Sequence, residues 1–205
     1  METKEEYKWY TVVSILTMIL MTYFLYIVSS QQNSMVQAVE EIRDLKIEVQ
    51  KLNNFIKEHS ALPKKMSYVS PEDLESIATA SLIYGYKFGH DPNELMSIVF
   101  CESSFKKDSL SNKSAKGVMQ INPITAKHLN FSVEKSDSIW YNMYHGSKYL
   151  RELKEKFRNK DKALLAYYRG PGAVMKDMKN QIQLDMTYPN KINKWKNIFK
   201  RSSGS

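Results

Sequence analysis

The chain has 205 residues, a single cysteine, and 30 Lys and Arg against 22 Asp and Glu, for a formal charge of +8. That length holds one ordinary domain with extensions and leaves two full domains crowded. The lone Cys101 excludes a disulfide within the chain, and neither a CxxC pair nor two histidines four apart is present, so no metal or other cofactor is expected. The positive balance favours an acidic contact such as nucleic acid, anionic lipid or a wall polymer. The basic residues, however, are mostly lysines scattered along helical stretches, without arginines interleaved by aromatics, which is how a solvated face reads; nucleic acid is not an expected partner.

Residues 1–8 form a short polar start, expected to stay in the cytoplasm. Residues 9–28, WYTVVSILTMILMTYFLYIV, are an uncharged, predominantly apolar run long enough to cross a bilayer as a helix. Trp9 and Tyr10 lie at one end and Tyr23 and Tyr26 near the other, where interfacial aromatics belong. A cleaved signal peptide would have a shorter apolar part, a more basic start and a small-residue cleavage site, so the run reads as an uncleaved single-span anchor. Lys4 and Lys8 precede it, and Arg43 is the next basic residue after it, which predicts a cytoplasmic amino terminus with the rest of the chain outside.

Over residues 33–58, Met35, Ala38, Ile42, Leu45, Val49, Leu52 and Ile56 alternate steps of three and four, the seam of a short coiled-coil stalk. A seam so narrow buries little alone, which leaves two readings open: a homodimer through the stalk, or packing on the chain's own domain. Residues 59–69, with Pro63 and two lysines, read as a linker. From residue 70 to 200 the chain is expected to be mainly α. Ser70-Pro71, Asp91-Pro92 and Asn122-Pro123 each set a capping side chain before a proline at the first helical position. Residues 106–117 turn to Ser, Asn and Lys, a loop or at most a small hairpin. Residues 201–205, RSSGS, are expected to form a disordered tail.

Chemistry begins on the helix opened by Asp91, Pro92 and Glu94, whose Asp-x-x-Glu spacing predicts a reciprocal cap. Leu95, Ile98 and Val99 mark its apolar face, and Glu102 falls on that same face. A carboxyl group there is partly desolvated, its pKa rises, and it becomes able to donate a proton near neutral pH. The competing reading puts Glu102 at a frayed helix end in water. Cys101, beside it, is expected on a different helical face with no histidine placed to activate it.

Glu102-Ser103-Ser104-Phe105, then Gly117-Val118-Met119-Gln120-Ile121-Asn122-Pro123, then Ala166-Tyr167-Tyr168-Arg169-Gly170-Pro171-Gly172, in this order, resemble the soluble-lytic-transglycosylase family and its motifs ESxF, GLMQxxP and AYNxGPG. The resemblance covers residues 70 to 199 and implies a goose-lysozyme-like helical domain that cleaves peptidoglycan glycan strands. It implies that Glu102 is the single catalytic acid and base. It places Ser111 in the loop whose hydroxyl contacts that glutamate, Gln120 and Asn122 around the substrate groove, Met119 in the same block, Tyr167 at the tyrosine of AYN, and Tyr188 as the later tyrosine that closes the site. Met119 and Tyr167 also suit core packing, Ser111 an ordinary turn and Tyr188 a helix-start aromatic. Two departures stand out: Tyr168 replaces the asparagine of the third motif, and Ser114 takes the place of the usual first glycine before Gly117.

Hydrolytic glycosidases generally use two carboxylates about 5 to 10 Å apart. No second acid accompanies the motifs; Asp108 and Asp137 are nearest by position, and each suits a cap or a solvated loop. The resemblance therefore implies a one-acid reaction that ends in 1,6-anhydro-N-acetylmuramic acid. Hydrolysis on the same fold and a non-catalytic peptidoglycan-binding tether are the alternatives.

Overall fold

The structure, a computed structural model, describes the backbone over residues 4–60 and 69–202, and side chains from Leu16 onward apart from 45, 48–49, 51–52, 56–60 and 201–202. The chain divides into two units, residues 1–51 and 52–205. Helix α1 (Lys4–Ser60) covers the expected span and stalk. The helix takes in residues 59 and 60 of the expected linker, and residues 61–68 lie outside the described residues. Leu16, Ile19, Leu20, Phe24 and Leu25 are exposed, as are Met35 and Ile42 of the stalk seam. Among the described residues no helix is long and apolar enough to cross a membrane. Residues 9–15, the first part of the expected span, fall outside the described side chains, as do Leu45, Val49, Leu52 and Ile56 of the seam.

The second unit is helical, as its caps and periodicity require. Ser70 accepts a hydrogen bond from Asp73 N and opens α2 (Pro71–Phe88). Asp91 accepts from Asn93 N and opens α3 (Pro92–Ser103). Asn122 accepts from Thr125 N and opens the short α4 (Pro123–His128). These side-chain oxygens satisfy amides that have no partner within the helix, and the prolines cost nothing at a position whose N–H would be free. Then follow α5 (Ile139–Phe157), α6 (Lys160–Arg169), α7 (Pro171–Lys179) and α8 (Thr187–Ser202). Helix α8 takes in Arg201 and Ser202 of the expected tail, and residues 203–205 lie outside the described residues. The loop before α4 forms two isolated antiparallel bridges, Leu110 with Lys116 and Lys116 with Ile121, in place of a full hairpin.

Helix α3 packs against α2 and α8. Leu95, Met96, Ile98 and Val99 are fully buried, and they join Ile77, Met143, Leu150, Leu164, Ile192 and Phe199 in one core. Each such side chain contributes about 1.5–3 kcal/mol on burial, which fixes the helix that carries Glu102. Glu94 departs from the expected cap. It is buried and ion-paired to Lys154 of α5 and, at 3.2 Å, to Lys160 of α6. A spacing rule within one helix does not see lysines some sixty residues away.

Past α3 the chain turns through two residues with positive φ, Ser104 (53°) and Phe105 (67°). This conformation costs a non-glycine residue on the order of 1 kcal/mol. Complete burial of Phe105 offsets the strain: its ring meets Phe100 and Phe199, and Phe100 in turn packs at 4.1 Å on Trp195. This aromatic cluster ties the end of α3 to α8, and so holds Glu102 opposite Tyr188.

Candidate active site

The floor of the site is the segment Gly117 to Asn122, pinned from below by Asn142 of α5. The fully buried Asn142 accepts from Met119 N at 2.8 Å and donates to Lys116 O at 3.0 Å. Gly117 has a φ of 78°, and a Cβ there would lie 2.5 Å from Ser136 O and collide with the Asn142 amide; only glycine fits. Met119 is fully buried and would collide, through its sulfur, with any side chain at Gly146 of α5. The Met119 side chain is core, in keeping with the packing reading of this residue, and its carbonyl accepts the Tyr167 hydroxyl at 2.8 Å.

Above this floor lies a cavity of about 770 Å³, within the range of ligand clefts. It brings together Glu102, Ser111, Gln120, Asn122 and Tyr167. Ser111 does not bond to the glutamate: its hydroxyl accepts from Lys113 N (3.2 Å) and Ala115 N (3.0 Å) and shapes the loop. Gln120 Nε2 donates to Ser109 O and Gly117 O, while Asn122 spends its oxygen capping α4. Both therefore line the cavity with side chains already held in place. Tyr188 sits in a second cavity of about 370 Å³ on the other side, shared with Glu102, Cys101, Asp185 and Lys191. Its hydroxyl donates to Glu102 Oε1 in a short hydrogen bond.

Burial pushes the Glu102 pKa up from 4.5 to about 7, against the opposing pull of the Tyr188 hydrogen bond and the charge of Lys191. A carboxyl group of that pKa is protonated about half the time near neutrality and can both give and take a proton there. The Tyr167 and Tyr188 phenols are held well above their ordinary value, first by burial and then by Glu102, so both remain neutral donors. Burial also raises the Cys101 thiol to about 11, which leaves no useful thiolate at neutral pH, although Cys101 does share the second cavity with Glu102.

Among the described residues, Glu102 is the only carboxylate lining the larger cavity. Asp137 is turned to Lys116 (3.8 Å), and neither it nor Asp108 lines a cavity with Glu102. The acid that does is Asp185, which no motif marked. Its carboxylate accepts from Thr187 N (2.9 Å) and the Thr187 hydroxyl (2.6 Å), bonds that lower its pKa. Arg169, at the unspecified position of the third motif, lines both cavities and pairs with Asp177 at 2.8 Å, and no motif marked Lys191. No described group of three or more His, Cys, Asp or Glu is placed to hold a metal ion.

The profile of the family described as the Transglycosylase SLT domain matches residues 80–188, slightly more than half of the chain. A protein named Transglycosylase, from Enterobacteria phage PRD1, is 32% identical over 130 residues, which cover 63% of this chain and 45% of that one. The chain thus matches less than half the length of that relative. Among solved structures, an inactive mutant of the lytic transglycosylase Slt from Pseudomonas aeruginosa superimposes with a TM-score of 0.54, over 70% of this chain and 29% of that one. At 18% identity this likeness establishes the fold.

Proposed function

Because the chain belongs to the transglycosylase SLT domain family, we propose that it is a peptidoglycan lytic transglycosylase with Glu102 as its only acid and base. The observation that carries this reading is a half-buried glutamate, titrating at about 7, alone among carboxylates in a cleft that also presents Gln120, Asn122 and Tyr167. Protonated Glu102 gives its proton to the oxygen between N-acetylmuramic acid and N-acetylglucosamine as the C1–O bond breaks and its electron pair passes to that oxygen. The N-acetyl oxygen of the muramic residue closes on C1. The Glu102 carboxylate then takes the proton of the C6 hydroxyl, whose oxygen bonds to C1 and reopens the N-acetyl ring. The product is a 1,6-anhydro end, and no water is consumed.

Asp185 supports a second reading, hydrolysis, since a carboxylate beyond Glu102 could activate water. Its bonds to Thr187 argue for a helix cap instead. Mass spectrometry of muropeptides released from sacculi by the purified full chain decides: anhydro ends support transglycosylation, and reducing ends support hydrolysis. Glu102→Gln, which keeps the shape and loses the exchangeable proton, is expected to lower release by about 10³-fold. Undiminished release by this variant would refute the assignment of Glu102, and binding of sacculi without any release by the wild-type chain would leave a tether.

The same reading takes residues 9–28 as a single-span anchor with the amino terminus in the cytoplasm and the catalytic unit on the wall side. Its support is the uncharged run in the sequence and the exposure of the apolar side chains from Leu16 to Val28. The exposed Met35 and Ile42 leave the stalk open to a second copy. Fixing a wall-cutting domain near one surface raises its local concentration there and limits where it cuts.

A further inference from the structure

Resting on the transglycosylase reading, we infer that Tyr168, the residue that departs from the family motif, is a positioning residue: its ring clamps Tyr188 in the pose from which the phenol donates to Glu102. The two rings are stacked 4.6 Å apart and within 8° of parallel. Tyr188 is 8% exposed and Tyr168 63%, so Tyr168 lies on the solvent side of the pair, the outer plate over an inner one. A tyrosine left so open lines all three cavities around the site, the two that hold Glu102 and a third of about 640 Å³ beside them. An asparagine at this position has no face of comparable area to lay on a phenol.

Helix α6 is able to hold such a plate still. It packs against α5, α7 and α8, and its end is closed by Gly170, which has a φ of 85° and whose N–H donates to Ala166 O at 2.9 Å. The two adjacent tyrosines on its last turn divide the work. Tyr167 reaches down to the Met119 carbonyl and locks the floor, while Tyr168 reaches across to α8 and locks the donor. Tyr188 makes its bond to Glu102 from the first turn of α8, preceded by the segment Asn180 to Met186, which lies outside any helix. Its hydroxyl is thus held by an element end that gains from a second support. The ionisable groups acting on Glu102 are Tyr188 and Lys191 from α8, Tyr167 from α6 and Cys101 of its own helix, and Arg169 at the end of α6 and Asp185 before α8 share its cavities.

The test compares Y168A, Y168F, Y188F and the double variant Y168A/Y188F in the full chain, reading kcat and KM on sacculi and the Glu102 titration by carbon-13 NMR of its carboxyl. Y188F keeps the ring and removes the donor. It is expected to lower kcat on the order of tenfold, the worth of one hydrogen bond to a charged group, and to raise the Glu102 pKa. Y168A is expected to lower kcat in the same way with KM little changed, to raise the Glu102 pKa, and to add nothing further in the Y188F background. Y168F is expected to rescue both readouts, because the stack needs the ring and not the hydroxyl. A Y168A loss confined to KM, or one that persists undiminished in Y188F, would overturn the inference in favour of direct substrate contact. An unmoved Glu102 titration in Y168A would also overturn it. A wild-type chain that releases nothing from sacculi would count against the transglycosylase reading, and the titration arm would still decide this one.

Discussion

Helix α3 carries two glutamates, one at each end, and they are set to opposite purposes. Glu94, in the first turn, is almost completely buried, a position in which burial by itself raises a carboxyl pKa; the ion pairs to Lys154 and Lys160 outweigh that and hold it below its ordinary value. Glu102, in the last turn, is opposed only in part by a phenol hydrogen bond and the charge of Lys191, and burial wins. The difference lies in the partner. A lysine stabilises only the charged form, whereas a neutral phenol donor offsets desolvation in part and leaves the proton exchangeable. The Glu94 network extends inward: Lys154 donates to His90 Nδ1 at 3.1 Å, and the opposite ring nitrogen then donates to Ser147 O at 2.9 Å. Burial keeps that histidine neutral, consistent with its accepting from lysine.

The largest stability effect separating the two ends is expected from Glu94→Gln. Removing the anion leaves two lysine ammonium groups facing a neutral amide. Breaking a buried pair costs roughly 3–5 kcal/mol. The lysine side chains are 25% and 39% exposed and can turn to water, so a loss of about 3 kcal/mol, the low end, is expected in chemical denaturation at pH 7. The contribution of Glu94 is present above its unfolded pKa, near 4.5, and is lost as pH falls through the lower folded value; the gap between wild type and variant therefore closes in acid. Activity per folded molecule is expected to stay at the wild-type level. An equal loss at every pH would show that packing, not charge, is what Glu94 supplies.

Glu102→Gln is expected to move stability the other way. A folded pKa of about 7 over an unfolded 4.5 means that the folded chain binds the proton more tightly, so wild type loses stability as pH rises through that window. The full shift represents about 3 kcal/mol, and because Glu102 is only half-buried about 2 kcal/mol is expected. The variant should match wild type near pH 4, exceed it by that amount at pH 8, and be inactive throughout. A pH-independent difference would mean that Glu102 titrates like any surface glutamate.

Much of this arrangement was legible in the residues. Capping side chains before proline fixed where α2, α3 and α4 begin, and the spacing of Leu95, Ile98, Val99 and Glu102 placed the acid on the buried face. The motif order brought Glu102, Gln120, Asn122 and Tyr167 to one cavity. What stayed hidden has a common cause, which is contact across the chain. Glu94 reads as a cap because its lysines lie on α5 and α6. Asn142, on which the floor segment hangs, sits in the first turn of α5 with nothing around it to mark it. The Tyr168–Tyr188 stack joins residues with a whole helix between them. Ser114, where the family motif has a glycine, adopts a φ of 57°, a conformation that costs a glycine least.

The smallest effect tests whether partner type, rather than burial, tunes the acid. Among the described residues, Lys191 is the cation whose charge lowers the Glu102 pKa, and it acts through charge alone, without a hydrogen bond. Lys191→Met should therefore raise the Glu102 pKa by a few tenths of a unit, a modest change because the ammonium is partly screened by water and salt. Glu102 must be protonated to act as the acid, so activity declines as pH rises past about 7, and the variant should carry that declining limb to slightly higher pH. The gap between wild type and variant should shrink in high salt, as a purely coulombic effect must. A limb that moves downward would mean that the lysine stem keeps water from the acid more than its charge attracts the carboxylate. In that case the contrast between the two ends of α3 would rest on dryness and not on which group faces the glutamate.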